Sequence, residues 1–283
     1  MTKVKTKTAL AQELGCARSS LYYKPKQPES DEGLRQKIAA VMSEHPAYGS
    51  RRVAIALQIN RKATKRVMKL FGLKPKIRRG WHPTKLEDLN KPETRVENVL
   101  KIICPIRSNV VWAGDFTYLW FIDRFWYAAT VIDISTREIV GWHIANHHTT
   151  SLIMDAFHDA LRRTKTAPAY FHSDQGSEYV SGAYESLLAE YGAIPSHSRK
   201  SSPWQNGFQE SFYSQFKLEL GDVKRFNHVG EFIEAIHHQI TYYNNRRIHS
   251  ALKMSPVMYK NIQQQKYAAV AASKTYSYVF NRV

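Results

Sequence analysis

Apolar residues recur at two different periods along this chain. Up to about residue 74 they fall three and four apart, as on one face of a helix; from residue 109 they gather in β-branched and aromatic runs typical of strands. Residues 8–24, TALAQELGCARSSLYYK, predict a small helix-turn-helix with Ala11 as the small packed residue, Gly15 at the turn and Leu21 buried. Its second helix would run from about Ala17 to Tyr23 and expose Arg18, Ser19 and Ser20. The segment KPKQPESDEG that follows mixes Pro, charge and Gly and reads as a linker. A second helical unit covers residues 33–74, with Leu34, Ile38 and Val41 in register, a break at HPAYGS, and then Val53, Ala54 and Leu57 on one face. Asn60 is placed to cap a last helix whose stripe would be Ala63, Val67 and Leu70, and Gly72 to end it.

From Lys74 to about Ser108 the chain is basic and punctuated by Pro, with no sustained apolar period, so an extended connector is expected, with Trp81 docking on protein. Three β-rich runs follow, NVVWAGDFTYLWF, RFWYAATVIDIS and EIVGWHIAN, joined by short polar breaks as in an antiparallel meander. Then come an amphipathic helix with Leu152, Ala156 and Ala160 in register, a short strand AYFHSD, a helix GAYESLLAEYG, a short strand AIPSHS and two further helices. This order predicts an α/β sheet of the ribonuclease H type behind small all-α modules. The expected division is a short helix-turn-helix at 1–25, a second at 26–75, a basic linker at 76–108, the α/β core at 109–225 and a helical C-terminal region at 226–283.

Charge separates the same two halves. Residues 1–110 hold 24 Lys and Arg against 9 Asp and Glu, whereas residues 111–283 hold 17 against 15. A basic front and a near-neutral back suggest a module for a polyanion joined to a separate functional domain, although a solvated basic surface would look the same. On the helical reading Arg18, Arg51, Arg52, Arg61, Lys62, Lys65 and Arg66 are candidates for phosphate contacts on double-stranded DNA. No apolar run has the length of a membrane span and MTKVKTKTALAQ lacks the apolar centre of a secretory signal, so a cytoplasmic protein is expected. Cys16 and Cys104 are expected to be buried, unpaired thiols.

Three carboxylates carry the candidate chemistry. Asp115 lies in WAGDFTYL, Asp174 in FHSDQGSEY and Glu210 in NGFQESFYSQFK, with fifty-eight residues between the first two and thirty-five between the last two. The predicted topology has Asp115 ending or interrupting the first strand, Asp174 following the fourth, and Glu210 one turn inside a helix that begins near Asn206. Converging acids without an obvious basic partner suit hard divalent cations, Mg²⁺ or Mn²⁺, and a pair of them is a device for in-line displacement at phosphorus. Ser214 and Lys217 share the face of Glu210, so Lys217 is a candidate for a nearby DNA phosphate, as are Arg199 and Lys200 in the preceding loop. Arg246 and Arg247, in YYNNRRIHSAL, meet DNA or pack on the core. His147, His148, His237 and His238 lack Cys partners and are assigned no zinc.

The segments WAGDFTYL, FHSDQGSEY, SRKSSPWQNGFQESFYSQFK and YYNNRRIHSALKMSP resemble the catalytic subunit of bacterial insertion-sequence transposases, and most closely the insertion-sequence-three family within the retroviral-integrase-like DDE superfamily. HPAYGSRRVAIAL…NRKATKRVMKLFGLKP resembles the helix-turn-helix such proteins carry upstream, and the likeness covers roughly residues 20–260. It implies a retroviral-integrase-type core, Asp115, Asp174 and Glu210 as a triad holding two Mg²⁺ or Mn²⁺, binding of the terminal inverted repeats, cleavage at the 3′ end and strand transfer. It also implies a homo-oligomer on element and target DNA, without a membrane partner. The loop that commonly carries a Gly and an Asp-Asn pair reads Ser201, Ser202 and Gln205-Asn206 here. No heptad stretch is present, so the chain reads as a second-frame product that joins a first-reading-frame partner or fusion, unless residues 8–24 stand in for that region. A nuclease that only hydrolyses and a non-catalytic DNA-binding regulator are the competing readings.

Overall fold

The structure, a computed structural model, describes residues 6–22, 27–77, 98, 107–198 and 206–280. It falls into two compact units, Met1–Pro75 and Lys76–Val283.

In the first unit Thr6 caps α1 (Lys7–Glu13), Ala11 is buried, and Gly15 turns the chain at φ +61°. The segment after it is not the expected α-helix but a five-residue 3₁₀ helix, Arg18–Tyr22, in which Leu21 is only half-buried. Cys16 is likewise only partly covered, and Cys104 lies outside the described residues. The unit's core lies farther on, among α2 (Gln27–Glu44), α3 (Ser50–Ala56) and α4 (Arg61–Leu70), where Ile38, Tyr48, Val53 and Val67 are fully buried. Asn60 caps α4 as expected, its side chain accepting the Lys62 N–H at 2.8 Å. The buried stripe of α4 is Thr64, Val67 and Met68 rather than Ala63, Val67 and Leu70, and Leu70 is 62% exposed. Arg66 forks onto Asp31 of α2, with Nη2 to Oδ1 at 2.6 Å and Nη1 on Oδ2.

The second unit is a five-stranded sheet in the order β3-β2-β1-β4-β5. β1 (Val111–Phe121), β2 (Arg124–Asp133) and β3 (Ile139–Ala145) form the expected meander, while β4 (Tyr170–Ser173) and β5 (Ile194–His197) add parallel strands beside β1. The parallel pairs need crossovers, supplied by α5 (Thr150–Thr164) and α6 (Gly182–Glu190). Alternation along β1 sends odd positions to one face and even positions to the other. Val111, Ala113, Leu119 and Phe121 join a core with α7 (Gly207–Leu220) and α8 (Val229–Asn245), into which Phe232, Ile236 and Ile240 are fully buried. Trp112 faces the opposite core under α5 and α6, with Phe157, Phe171 and Tyr184. Each such side chain stabilises the fold by about 1.5–3 kcal/mol.

Two close approaches depend on glycine. A Cβ on Gly141 would lie 2.4 Å from backbone atoms of Ala156 and Ala160, so α5 rests directly on β3. Asn244 of α8 exchanges both hydrogen bonds with the backbone of Ile139, and α9 (Pro256–Phe280) is tied in by Lys260 to Glu138 at 2.9 Å.

Candidate active site

The short β4 determines where the acids meet. It pairs with β1 only through Val111–Ala113, so the first strand runs on beyond its neighbour. Asp115 therefore neither ends nor interrupts its strand, as the sequence suggested; it is the fifth of eleven residues, and what ends beside it is the parallel pairing. Asp174 leaves β4 at the same level, two residues past His172 as Asp115 is two past its partner Ala113. Gly114 permits this: a Cβ there would meet the Phe171 ring at 2.5 and 2.8 Å and Tyr179 at 3.2 Å.

Asp115 points toward α7, because its cross-strand partner Thr130 contacts that helix. Three buried side chains of α7 and its cap attach the helix to the strand backbone around Asp115. Asn206 Nδ2 donates to Gly114 O at 3.3 Å, Gln209 Nε2 to Ala113 O at 2.7 Å and Thr130 O at 3.0 Å, and Tyr213 Oη to Asp115 O at 2.8 Å. Thr130 Oγ1 closes the network with Gln209 Oε1 at 3.0 Å and Tyr213 Oη at 2.8 Å. Glu210 sits between these anchors, in the first turn of α7, with its own side chain exposed. The sequence reading missed this clamp, although a Gln and a Tyr four apart among Phe212 and Phe216 were a visible signal: polar groups on an otherwise apolar helical stripe need buried partners.

The loop after β4 is equally well held. Asp174 Oδ1 accepts the Gly176 N–H at 2.9 Å, and Ser173 Oγ reaches His197 Nδ1 at 3.1 Å. His148 Nδ1 meets Glu178 Oε1 at 3.1 Å. Burial pushes the Glu178 carboxyl up, but hydrogen bonds from His148 and Ser177 outweigh it and leave Glu178 below its ordinary value.

The charges of both other acids act on Asp115. The Asp115 carboxyl is pushed up to about 7 by burial first, then by the charges of Asp174 and Glu210, against the pull of the Phe116 N–H and Lys217. Burial also drives the Tyr213 and Tyr179 hydroxyls well up, with the charge of Asp115 adding to both. A carboxyl raised by burial and by two neighbouring acids suits a hard divalent cation, which would favour its ionised form. Among the described residues no three acids, His or Cys already form a ligand shell.

The other candidates divide. Lys217 Nζ lies 5.0 Å from the centroid of the Tyr118 ring, on the Glu210 side of α7. Arg18, Arg51, Arg61, Lys62, Lys65 and Arg246 are exposed. Arg199 and Lys200 lie outside the described residues. Arg247 is not a DNA contact: it is 2% exposed and pairs with Glu219 at 2.6 Å and Gln215 at 2.8 Å, tying α7 to the end of α8. Arg66 is committed to Asp31, and Arg52 lies over the Tyr48 ring at 5.7 Å with Nη1 on Ala47 O at 3.5 Å, so both serve the helical core.

Residues 105–203 match the family described as Integrase core domain, and residues 191–256 a second family of the same description. The chain is 36% identical over 238 residues to the transposase for insertion sequence element IS904 of Lactococcus lactis subsp. lactis (strain IL1403), covering 80% of this chain and 92% of that one. It is 30% identical over 189 residues to transposase InsF for insertion sequence IS3A of Escherichia coli (strain K12), covering 64% and 65%. Among solved structures, a chain of the simian T-cell lymphotropic virus intasome in complex with PP2A regulatory subunit B56 gamma shares the fold, with a TM-score of 0.51 at 12% identity over 79% of this chain and 74% of that one.

Proposed function

We infer how this chain works from one premise: it belongs to the insertion-sequence-three family of DDE transposases, polynucleotidyl transferases built on an integrase core. Within that chemistry Asp115, Asp174 and Glu210 are the catalytic carboxylates and the ligands of a divalent metal, taken as two Mg²⁺ or Mn²⁺. When bound there, such ions activate the attacking oxygen and stabilise the leaving one at phosphorus. The observation that carries the assignment is the Asp115 carboxyl pushed up to about 7 partly by the charges of the other two acids, far apart in sequence. Asn206, Gln209, Tyr213 and Thr130 hold α7 on the strand, so that Glu210 keeps its place opposite Asp115. Lys217, on the same side of the helix, meets a phosphate of the reacting strand.

The helical unit binds the terminal inverted repeats through its exposed cations, Arg18, Arg51, Arg61, Lys62 and Lys65. Arg199, Lys200 and Arg246 add further DNA contacts. The reaction is 3′-end cleavage followed by attack of the freed hydroxyl on a second phosphodiester, by direct displacement and without a protein nucleophile. Element ends and target DNA are held by a homo-oligomer, with a first-reading-frame partner or fusion completing the assembly in the bacterial cytoplasm. No helix among the described residues is long and apolar enough to cross a membrane. The test is strand transfer on labelled element-end DNA with Mg²⁺ or Mn²⁺, beside Glu210→Gln. Joined products from the wild type, absent from the variant, support the assignment. Cleavage without joining points to a nuclease, and binding without cleavage to a regulator or a missing partner.

A further inference from the structure

Beyond Asp115 the first strand carries a row of aromatic rings on its even face. Phe116, Tyr118 and Trp120 of β1 stand beside Tyr127 and Phe125 of β2, since Tyr118 pairs with Tyr127 and Trp120 with Phe125 across the hairpin. The rings touch in succession: Phe116 to Tyr127 at 6.3 Å, Tyr127 to Phe125 at 6.5 Å, and Phe125 to Tyr118 at 5.5 Å and to Trp120 at 4.8 Å. At its inner end Phe116 stacks on His148, the partner of Glu178 in the loop that follows Asp174. The row thus begins beside the loop that follows Asp174 and ends at the hairpin turn.

Its outer rungs are bare. Tyr118 is 59%, Trp120 55% and Phe125 42% exposed, whereas Leu119 and Phe121, at the same level on the other face, are buried. Three adjoining exposed aromatics mark a binding surface rather than ordinary scatter. Phe125 meets both neighbours near perpendicular, at 85° and 75°, so these contacts are edge-to-face rather than stacked. Cations flank the row, Lys217 over Tyr118 and the exposed Arg124 at the outer end, with Asp123 the one acid in the turn.

We propose that Tyr118, Trp120 and Phe125 form a stacking platform for unpaired bases of the DNA strand that passes the carboxylates, with Lys217 on its phosphates. The proposal rests on the transposase reading of the site. Aromatic faces interleaved with cations are the recurring means of holding single strands without regard to sequence. As even positions, Tyr118 and Trp120 stand on the other face of the sheet from Asp115, where Lys217 of α7 reaches the Tyr118 ring. Along the strand, at about 3.4 Å per residue, they follow Asp115 by about 10 and 17 Å. At about 3.4 Å per nucleotide that is about three and five stacked bases from the scissile bond. The inferred role is to hold the end of the duplex open while the reacting phosphate is at the acids.

The test compares the full chain on a labelled blunt duplex and on the same duplex ending in a short unpaired thymine tail. Wild type is expected to bind the tailed duplex about tenfold more tightly and to quench 2-aminopurine placed in the tail. Trp120→Ala and Tyr118→Ala should each lose about five- to tenfold on the tailed duplex and stay within about twofold on the blunt one. Tyr118→Phe should keep the preference, and unchanged thermal melting would show that the exposed substitutions leave the fold intact. Equal binding of both duplexes by wild type, or a preference that survives both alanine variants, would overturn the platform. So would light scattering in which the alanine variants change the association state, because the face would then belong to a second copy. Strand transfer measured in parallel separates the two ideas: joined products without tail preference sink the platform and leave the transposase reading standing. Tail preference in a wild type that never cleaves or joins sinks that reading, and with it the platform's place beside a reacting strand.

Discussion

Asp31 of the helical unit and Asp115 of the sheet unit are both withdrawn from solvent, and their neighbours treat them in opposite ways. Asp31 receives both arms of Arg66, whose hydrogen bonds hold its carboxyl below the usual range. Asp115 is shifted the other way: burial and two further acids push it up to about 7, and Lys217 only moderates the effect. The pair Arg247–Glu219, buried within the same unit as Asp115, follows the pattern of Asp31. Counter-charge is not the only way a structural acid is held: Asp133, 1% exposed, accepts the backbone N–H groups of Asn109, Ser135 and Thr136, and burial raises its carboxyl. What sets Asp115 apart is that the charges of Asp174 and Glu210 add to its burial, the arrangement that a bound cation would relieve.

The largest effect should come from the uncompensated side. Glu210→Gln keeps the shape of α7 but removes one charge, and strand transfer should fall by about three orders of magnitude or more while DNA binding persists. On the compensated side, Arg247→Ala leaves Glu219 buried without its partner, and denaturant unfolding should show a loss of about 3–5 kcal/mol. An unchanged stability would mean the pair is not the internal counterpart of Asp31.

Asp115→Asn should have the opposite sign. A carboxyl raised from 3.8 to about 7 binds its proton more tightly in the folded than in the unfolded chain. Stability then falls as pH rises between those values. In metal-free buffer above pH 7, Asp115→Asn should therefore gain about 2–4 kcal/mol over wild type, shrinking toward zero as pH falls to about 4. A gain that is flat with pH would remove the charge explanation. The smallest effect concerns backbone strain at the turn where the same strand ends. Ile122 and Asp123 form the β1–β2 turn at φ +43° and +58°, a region that resists a β-branched residue. Ile122→Asn should raise stability by about 1 kcal/mol, read as a shift in the denaturation midpoint.

Much of this was legible in advance. The meander, the crossover helix with Leu152, Ala156 and Ala160 inward, the Asn60 cap and the start of α7 all follow local periodicity, which depends on residues a few positions apart. The helical stripe of α4 was misplaced because the face it buries, Thr64, Val67 and Met68, depends on how α2 and α3 cover it, which its own local period does not reveal. Likewise the eleven-residue length of β1 concealed where its parallel neighbour would stop, so Asp115 was expected at a strand end.

What the sequence determined by itself was the order of elements, the three acids and their spacing, because periodicity and motif are properties of neighbouring residues. The tertiary structure alone decided which charges are compensated and which are not. It sent Arg247 inward to Glu219 and left Tyr118 and Trp120 bare farther along the strand that carries Asp115. It also joined Gln209 and Tyr213 to backbone carbonyls nearly a hundred residues earlier. The physical reason is that burial and electrostatics act through space, between groups whose distance along the chain carries no information about their distance in the fold.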